Sequence, residues 1–429
     1  MPLDTGIRRL AAAAALLAGA AAAPPAAAQT TVTIACSALG IGHQLCREGA
    51  EAWAQETGNA VRFVATPKSA TDQLALYQQL LAAGSADIDV FQIDVVWPGI
   101  LGDHFLDLAD HIDPAAAGEH LPVLVETATV DGRLVALPWF IDMGLLYYRE
   151  DLLRRHGRPV PTTWADLEQT ARLIRDAERA AGNDRMWGYV WQGRAYEGLT
   201  VNALEWIDSF GGGTIVGDDG AVTVNNPQAV EALATAAGWV GTITPQGVLN
   251  YTEEEARGAF QSGNAVFMRN WPYAWPLVNG SDSPVKGMVG VAPLPRGGTD
   301  GKHTGALGGQ MLAVNRMSAV PDAAADLVRH LTGAQEQKRR AMRGGYNPTR
   351  PALYEDADLI AVNPVVADLA GALPGAVARP SRQAGQLYNQ LSAELYQAVH
   401  RVLSGSAEAA DALAGLERSL ERLNRRSRR

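Results

Sequence analysis

The chain has 429 residues, 47% of them hydrophobic and 19% charged, with a net charge of −10 at neutral pH. A chain of this length and apolar content can build the cores of two or three domains. Its acidic balance argues against nucleic acid or an anionic membrane surface as partners.

The N-terminus carries Arg8 and Arg9, an apolar run from Leu10 to Ala22, a break at Pro24-Pro25, and Ala26-Ala27-Ala28 ahead of Gln29. That order is the pattern of a cleavable secretory signal over residues 1–28. The apolar run is shorter than the roughly 20 residues a membrane helix needs. Export to the periplasm is therefore expected, and the Arg-Arg pair fits either the general or the twin-arginine route. No cysteine ends the apolar run, so no lipid anchor is expected. Behind such a signal, the closely spaced Cys36 and Cys46 are expected to form a disulfide.

Along the mature chain, Thr31 to Ala35 alternates apolar and polar residues as a strand does. Cys46 to Gln55 reads as a helix stopped by Thr57-Gly58-Asn59, Val61 to Ala65 as a strand, Thr71 to Ala83 as a helix, and Ile88 to Ile93 as a buried strand. Strand and helix alternating in this way mark a doubly wound sheet, whose ligands bind beyond the carboxyl ends of the strands. Asp94 stands at such an end. Leu134 to Trp139 and Leu145 to Tyr148 read as strands flanking a turn at Asp142, and Thr163 caps a helix running through Asp176. Ala265 to Met268, Val289 to Ala292 and Met311 to Asn315 are further strands, and helices dominate from Ala323. Gly308-Gly309-Gln310 is expected in a loop, and Gly211-Gly212-Gly213 in a turn.

Several residues at these predicted strand ends have chemistry in common. Asp94 and Asp142 supply carboxylates, Arg379 a guanidinium, and Phe140, Trp271, Tyr273 and Trp275 flat aromatic faces. Carboxylates and arginine hold sugar hydroxyls by charge-assisted hydrogen bonds, and aromatic faces make walls for the C–H face of a pyranose. The same two acids could also serve glycoside hydrolysis, which sets carboxyl groups about 5–9.5 Å apart across the bond. The eight histidines are scattered, and neither His-Glu-x-x-His nor a phosphate-loop motif occurs, so no metal and no cofactor is expected.

At this point three longer segments become informative: Asp89 to Trp97 (DVFQIDVVW), Ala136 to Asp142 (ALPWFID) with Gly144 to Arg149 (GLLYYR), and Arg269 to Trp275 (RNWPYAW). They resemble the extracellular solute-binding family of ABC sugar importers, most nearly its trehalose/maltose-binding branch. Trp191 to Leu199 (WQGRAYEGL), Asp282 to Gly287 (DSPVKG) and Ala378-Arg379-Pro380 extend the likeness over nearly the whole mature chain.

The resemblance implies an α/β periplasmic-binding-protein fold of two doubly wound lobes with a ligand cleft between them. Lobe one would hold residues 29–137 and 287–344, and lobe two residues 138–286 and 345–429, with crossings near 137–140, 284–288 and 344–347. It further implies that Asp94, Phe140, Asp142, Trp271, Tyr273, Gly309, Gln310 and Arg379 bind the ligand, Asp94 from one lobe and Asp142, Trp271, Tyr273 and Arg379 from the other. The ligand would be an α-glucoside disaccharide such as trehalose, maltose or sucrose, or else a glucosylated polyol or other hexoside. The protein would be a monomeric carrier rather than an enzyme, delivering sugar to ABC permease subunits served by a separate ATPase subunit. This chain departs from that pattern in three places. Gln310 replaces a tryptophan, Gly42-His43-Gln44 stands where an acid is usual, and no arginine stands near Asp72 and Gln73.

Overall fold

The computed structural model describes residues 29–363, 365–366 and 373–427. The expected signal segment, residues 1–28, lies outside them. The strands of the two main sheets are β1 (Thr31–Ser37), β2 (Ala60–Thr66), β3 (Val90–Asp94), β4 (Leu137–Met143), β5 (Leu145–Arg149), β6 (Trp187–Val190), β7 (Ala265–Asn270), β8 (Val289–Pro293) and β9 (Leu307–Val314). The longer helices are α1 (Gly42–Thr57), α2 (Ala70–Ala82), α3 (Trp164–Ala180), α4 (Glu197–Ser209), α5 (Pro227–Trp239), α6 (Glu253–Gln261), α7 (Pro321–Leu331), α8 (Ala334–Gly344), α9 (Tyr388–Leu403) and α10 (Ala409–Ser427).

The first lobe is built on a five-stranded sheet of order β2-β1-β3-β9-β4. β1 pairs in parallel with β2 and β3, because α1 and α2 carry the chain back across the sheet between them. β9 runs antiparallel between β3 and β4. α1 turns Leu45, Cys46, Ala50 and Trp53 into the core at helical spacing and ends at Gly58, whose φ of 74° few other residues adopt. The second lobe has a four-stranded sheet of order β8-β5-β7-β6. Its core joins Trp164 of α3, Trp206 of α4 and Trp239 of α5 to Leu395 of α9 and Leu413 of α10. Thr163 caps α3 through the amide of Asp166, as its sequence predicts.

The strands locate where the chain changes lobes. β4 stays in the first sheet through Met143 and β5 joins the second from Leu145, so the first passage is at Gly144. β8 still pairs with β5 in the second sheet, and β9 is back in the first, which puts the return between Pro293 and Leu307 rather than at 284–288. Residues past 344–347 also remain on the first lobe: Asn347 bridges to Ile141, and the amide of Thr349 donates to Gln337 on α8. Gly144, Ala306 and Val377 lie together where the lobes join. The amide of Gly144 donates to the carbonyl of Ala306 (3.4 Å), and that of Leu307 to the carbonyl of Val377 (2.8 Å).

Cys36, at the end of β1, and Cys46, in α1, form a disulfide. It closes the loop that includes Leu39 and Gly42, both on the wall of the cleft described below. Cross-linking a loop of this length contributes about 2–3 kcal/mol by restricting the unfolded chain. The double variant Cys36→Ala/Cys46→Ala should therefore unfold at lower denaturant concentration by that margin, with an unchanged far-ultraviolet circular dichroism spectrum. An unchanged midpoint would show that the cross-link adds nothing to the fold.

Candidate functional site

All the residues expected to bind ligand, Asp94, Phe140, Asp142, Trp271, Tyr273, Gly309, Gln310 and Arg379, line one cleft of about 90 Å³ between the lobes. Asp94 and Asp142 both come from the first sheet. Asp94 lies opposite Gln310 of β9, and Asp142 opposite Gly308. Asp142 thus sits inside β4 rather than in a turn, and on the same lobe as Asp94 rather than across from it. Gly308-Gly309-Gln310 likewise belongs to β9 rather than to a loop. Its glycines have steric reasons: a Cβ at Gly308 would come within 2.9 Å of the Trp271 ring, and one at Gly309, where φ is 131°, would collide with the carbonyl of Phe140.

Charge is unevenly satisfied in the cleft. Arg379 donates to both oxygens of Asp94, at 2.6 and 3.3 Å, and to Glu197 at 2.8 Å. Burial disfavours the charge on Arg379, but Asp94 and Glu197 outweigh it and hold its pKa above the ordinary arginine value. Glu197 begins α4 and also accepts from Tyr388 and Ser392, each at 2.5 Å. Asp142 is different, for its Oδ1 is buried and has no hydrogen-bond partner. Burial drives its pKa up to about 7; Arg269 and Arg340 pull it down and Asp94 pushes it further up.

The aromatic residues divide between wall and core. Trp271 and Tyr273 follow β7, and Phe140 lies on β4. The Tyr147 hydroxyl donates to the carbonyl of Trp271 at 2.8 Å, and Tyr273 donates to Glu254 at 2.8 Å, so both cleft aromatics are held in place. The Arg269 guanidinium lies 4.0 Å from the centroid of the Trp271 ring. Trp97 and Trp139, also at predicted strand ends, pack in the core of the first lobe instead.

Arg340, Glu197, Glu253, Gln92, Gln73 and Tyr346 also line the cleft and were not singled out as ligand residues from sequence. Glu197 falls within the Trp191 to Leu199 segment, which was a usable signal. Gln73 occupies the region where an arginine was sought, and donates to Tyr77 (2.9 Å) and to the carbonyl of Gln92 (3.2 Å). Gln310, in place of an aromatic residue, accepts from Gln92 at 3.4 Å, while Gln92 accepts from the amide of Ser37 at 2.8 Å. Amide groups of Gln73, Gln92 and Gln310 therefore line this side of the cleft. Among the described residues, no cluster of His, Cys, Asp and Glu is arranged to hold a metal ion, and no helix is long and apolar enough to cross a membrane.

The Asp142 carboxyl makes stability depend on pH. Between its ordinary value of 3.8 and about 7, the folded protein keeps a proton that the unfolded chain releases. The native state binds more protons there, so this group's contribution to stability falls as pH rises through that window. Asp142→Asn cannot ionise and should melt higher than wild type at pH 8 while losing that advantage at pH 4. Melting-temperature profiles that run parallel across the range would contradict a dry site for this carboxyl.

A family model for bacterial extracellular solute-binding proteins matches residues 46–338. A probable ABC transporter-binding protein of Deinococcus radiodurans is 49% identical over 397 residues, spanning 92% of this chain and 94% of that protein. Among solved structures, maltose-bound MalE3 of T. maritima superposes with a TM-score of 0.87 at 38% identity, over 92% of this chain and 100% of that one. A solute-binding protein of Agrobacterium radiobacter K84 in complex with ribitol has the same fold, with a TM-score of 0.81 at 23% identity over 92% and 98% of the two chains. Proteins of this kind are carriers rather than enzymes, binding a small solute and working with the membrane permease components of an ABC importer. The chain belongs to the bacterial extracellular solute-binding protein family.

Proposed function

We propose that the protein captures an α-glucoside disaccharide, such as maltose, trehalose or sucrose, in the cleft between its lobes. The observation that carries this reading is the meeting, in that one cleft, of the acids Asp94 and Asp142, the cation Arg379 and the indole of Trp271. Hydroxyls both donate and accept, so a sugar can bond to the carboxylates and the guanidinium together. A pyranose also has an apolar face for the indole. The likeness to a maltose-bound protein at 38% identity supports a glucose-containing ligand. The polar side formed by Gln92 and Gln310 favours a second reading, in which the part of the ligand beyond the first sugar ring is a polyol or another hexose.

The cleft volume of about 90 Å³ is well below the roughly 300 Å³ at which small-molecule sites begin, so the lobes part to admit the sugar and close over it. We take lobe one as residues 29–143 and 307–363, and lobe two as residues 145–293 and 388–427, turning about Gly144, Ala306 and Val377. Contacts from both lobes to one ligand provide the differential affinity that favours the closed form. That form then meets the permease as a monomer in the periplasm, after export by the signal in residues 1–28, and a separate subunit hydrolyses ATP.

A thermal-shift screen against maltose, trehalose, sucrose, mannitol and a glucosylated polyol tests the ligand class, because a molecule that binds only the folded state raises its melting temperature. Maltose or another α-glucoside should give the largest shift, and a larger shift with the free polyol would replace the disaccharide. With the best ligand in hand, Trp271→Ala should weaken binding by about 1.5–3 kcal/mol through lost apolar area. Asp94→Ala should weaken it by a similar amount through lost charged hydrogen bonds. Wild-type affinity in calorimetry after either change would place the ligand outside this cleft.

A further inference from the structure

Arg340 stands in an unusual setting. It projects from α8 and is 1% exposed, yet it lines the cleft. Its guanidinium lies 3.7 Å from the ring centroid of Trp139, 4.7 Å from that of Tyr346 and 5.5 Å from that of Phe140. Three aromatic rings therefore fix its plane. Its Nε and Nη1 are buried without a hydrogen-bond partner, and the same holds for Oδ1 of Asp142, which lines the same cleft. Buried polar groups are nearly always hydrogen-bonded, so unused donors and an unused acceptor lining one cleft call for an occupant that supplies the complement.

We infer that Arg340 is a specificity-determining residue, its guanidinium donating to one hydroxyl oxygen of a neutral pyranose while Asp142 accepts from the neighbouring hydroxyl. The inference rests on the sugar-binding reading above and names which groups read the ring. Arg379 also has an unpartnered Nε, but it differs from Arg340 because its Nη1 and Nη2 are already taken by Asp94 and Glu197. An anionic sugar fits poorly, since the carboxylates of Asp94 and Glu197 already hold Arg379, and the carboxyl of Asp142 faces the same cleft. The aromatic cage holds the guanidinium before the sugar arrives, so little side-chain freedom is lost on binding. Replacing arginine by lysine keeps the charge and loses the fixed planar fork.

The test is a calorimetric cycle with maltose and its mono-deoxy analogues, on wild type, Arg340→Lys and Arg340→Gln, each first shown to melt cooperatively. Wild type should bind maltose, and both variants should lose about 10- to 100-fold in affinity. The loss should largely vanish for the analogue lacking the hydroxyl that Arg340 reads, which a purely structural role would not produce. Equal losses against every analogue, or wild-type affinity in the variants, would overturn the inference and leave buried water as the partner of these donors. Tighter binding of glucuronic acid than of glucose would overturn the neutral-ring assignment. If the wild type binds neither maltose nor any sugar of the thermal-shift panel, the sugar reading itself fails and this inference falls with it.

Discussion

The buried ion pair between Arg269 and Glu205 is the interaction on which the rest of the site depends. Both side chains are 1% exposed, and the guanidinium donates from Nε and Nη2 at 2.8 and 2.5 Å. Such a pair survives in a low-dielectric interior only when further hydrogen bonds complete it, and removing one partner costs roughly 3–5 kcal/mol. Here Gln192 accepts from Arg269 at 3.2 Å, and Glu205 accepts from the amide of Ala306 at 3.0 Å. Ala306 belongs to the segment that returns to the first lobe. Gly144, at the first passage between the lobes, has room for nothing larger, because a Cβ there would collide with the Glu205 carboxylate. One ion pair thus fixes the end of β7, the middle of α4 and two of the connections between lobes.

From this anchor the cleft follows. Arg269 ends in a guanidinium against the ring of Trp271, two residues along the chain, so the wall aromatic is oriented by the same group that holds the hinge. Glu205 and Glu197 sit on one helix, α4, and Glu197 reaches Arg379, which in turn grips Asp94 of the first lobe. The chain of contacts runs from the hinge to the cleft through paired side chains. Asp142 and Arg340 stand outside that chain, one with its charge disfavoured by burial and the other held by rings rather than by an acid. Groups left unsatisfied inside a cleft are available to a ligand in a way that Arg379 and Asp94 are not until they exchange one another for it.

Much of this was legible from residues alone. The alternation of strand and helix from Thr31 to Asp94 gave the doubly wound sheet to within a few residues, because each element there follows its own period and ends in its own cap. The cleft residues were also legible, as acids and aromatics at strand ends. Asp142 and Gly308-Gly309 were misread as turn residues, since aspartate and glycine favour turns. Their true places depend on neighbours distant in sequence: Gly308 is small because the Trp271 ring lies against it, and Gly309 because the Phe140 carbonyl does. Trp97 and Trp139 show the reverse error, as aromatics near strand ends that the core absorbs. Arg340 was hidden within Lys338-Arg339-Arg340, which reads as a solvated face. Its neighbours are ion-paired, Lys338 with Asp356 and Asp358, and Arg339 with Glu48 and Glu336. A helical period was there to be read, however, for Gln337, Arg340, Ala341 and Gly344 share the buried side of α8.

The account stands or falls on where the sugar lies. A crystal structure of the protein grown with maltose addresses it most directly. The account predicts a pyranose with its apolar face on Trp271, its hydroxyls within hydrogen-bond distance of Asp94, Asp142 and Arg379, and the two sheets closed around it. Maltose resting on the outer surface, or a cleft in which Arg379 still holds Asp94 and Glu197 with no sugar between the lobes, would contradict it.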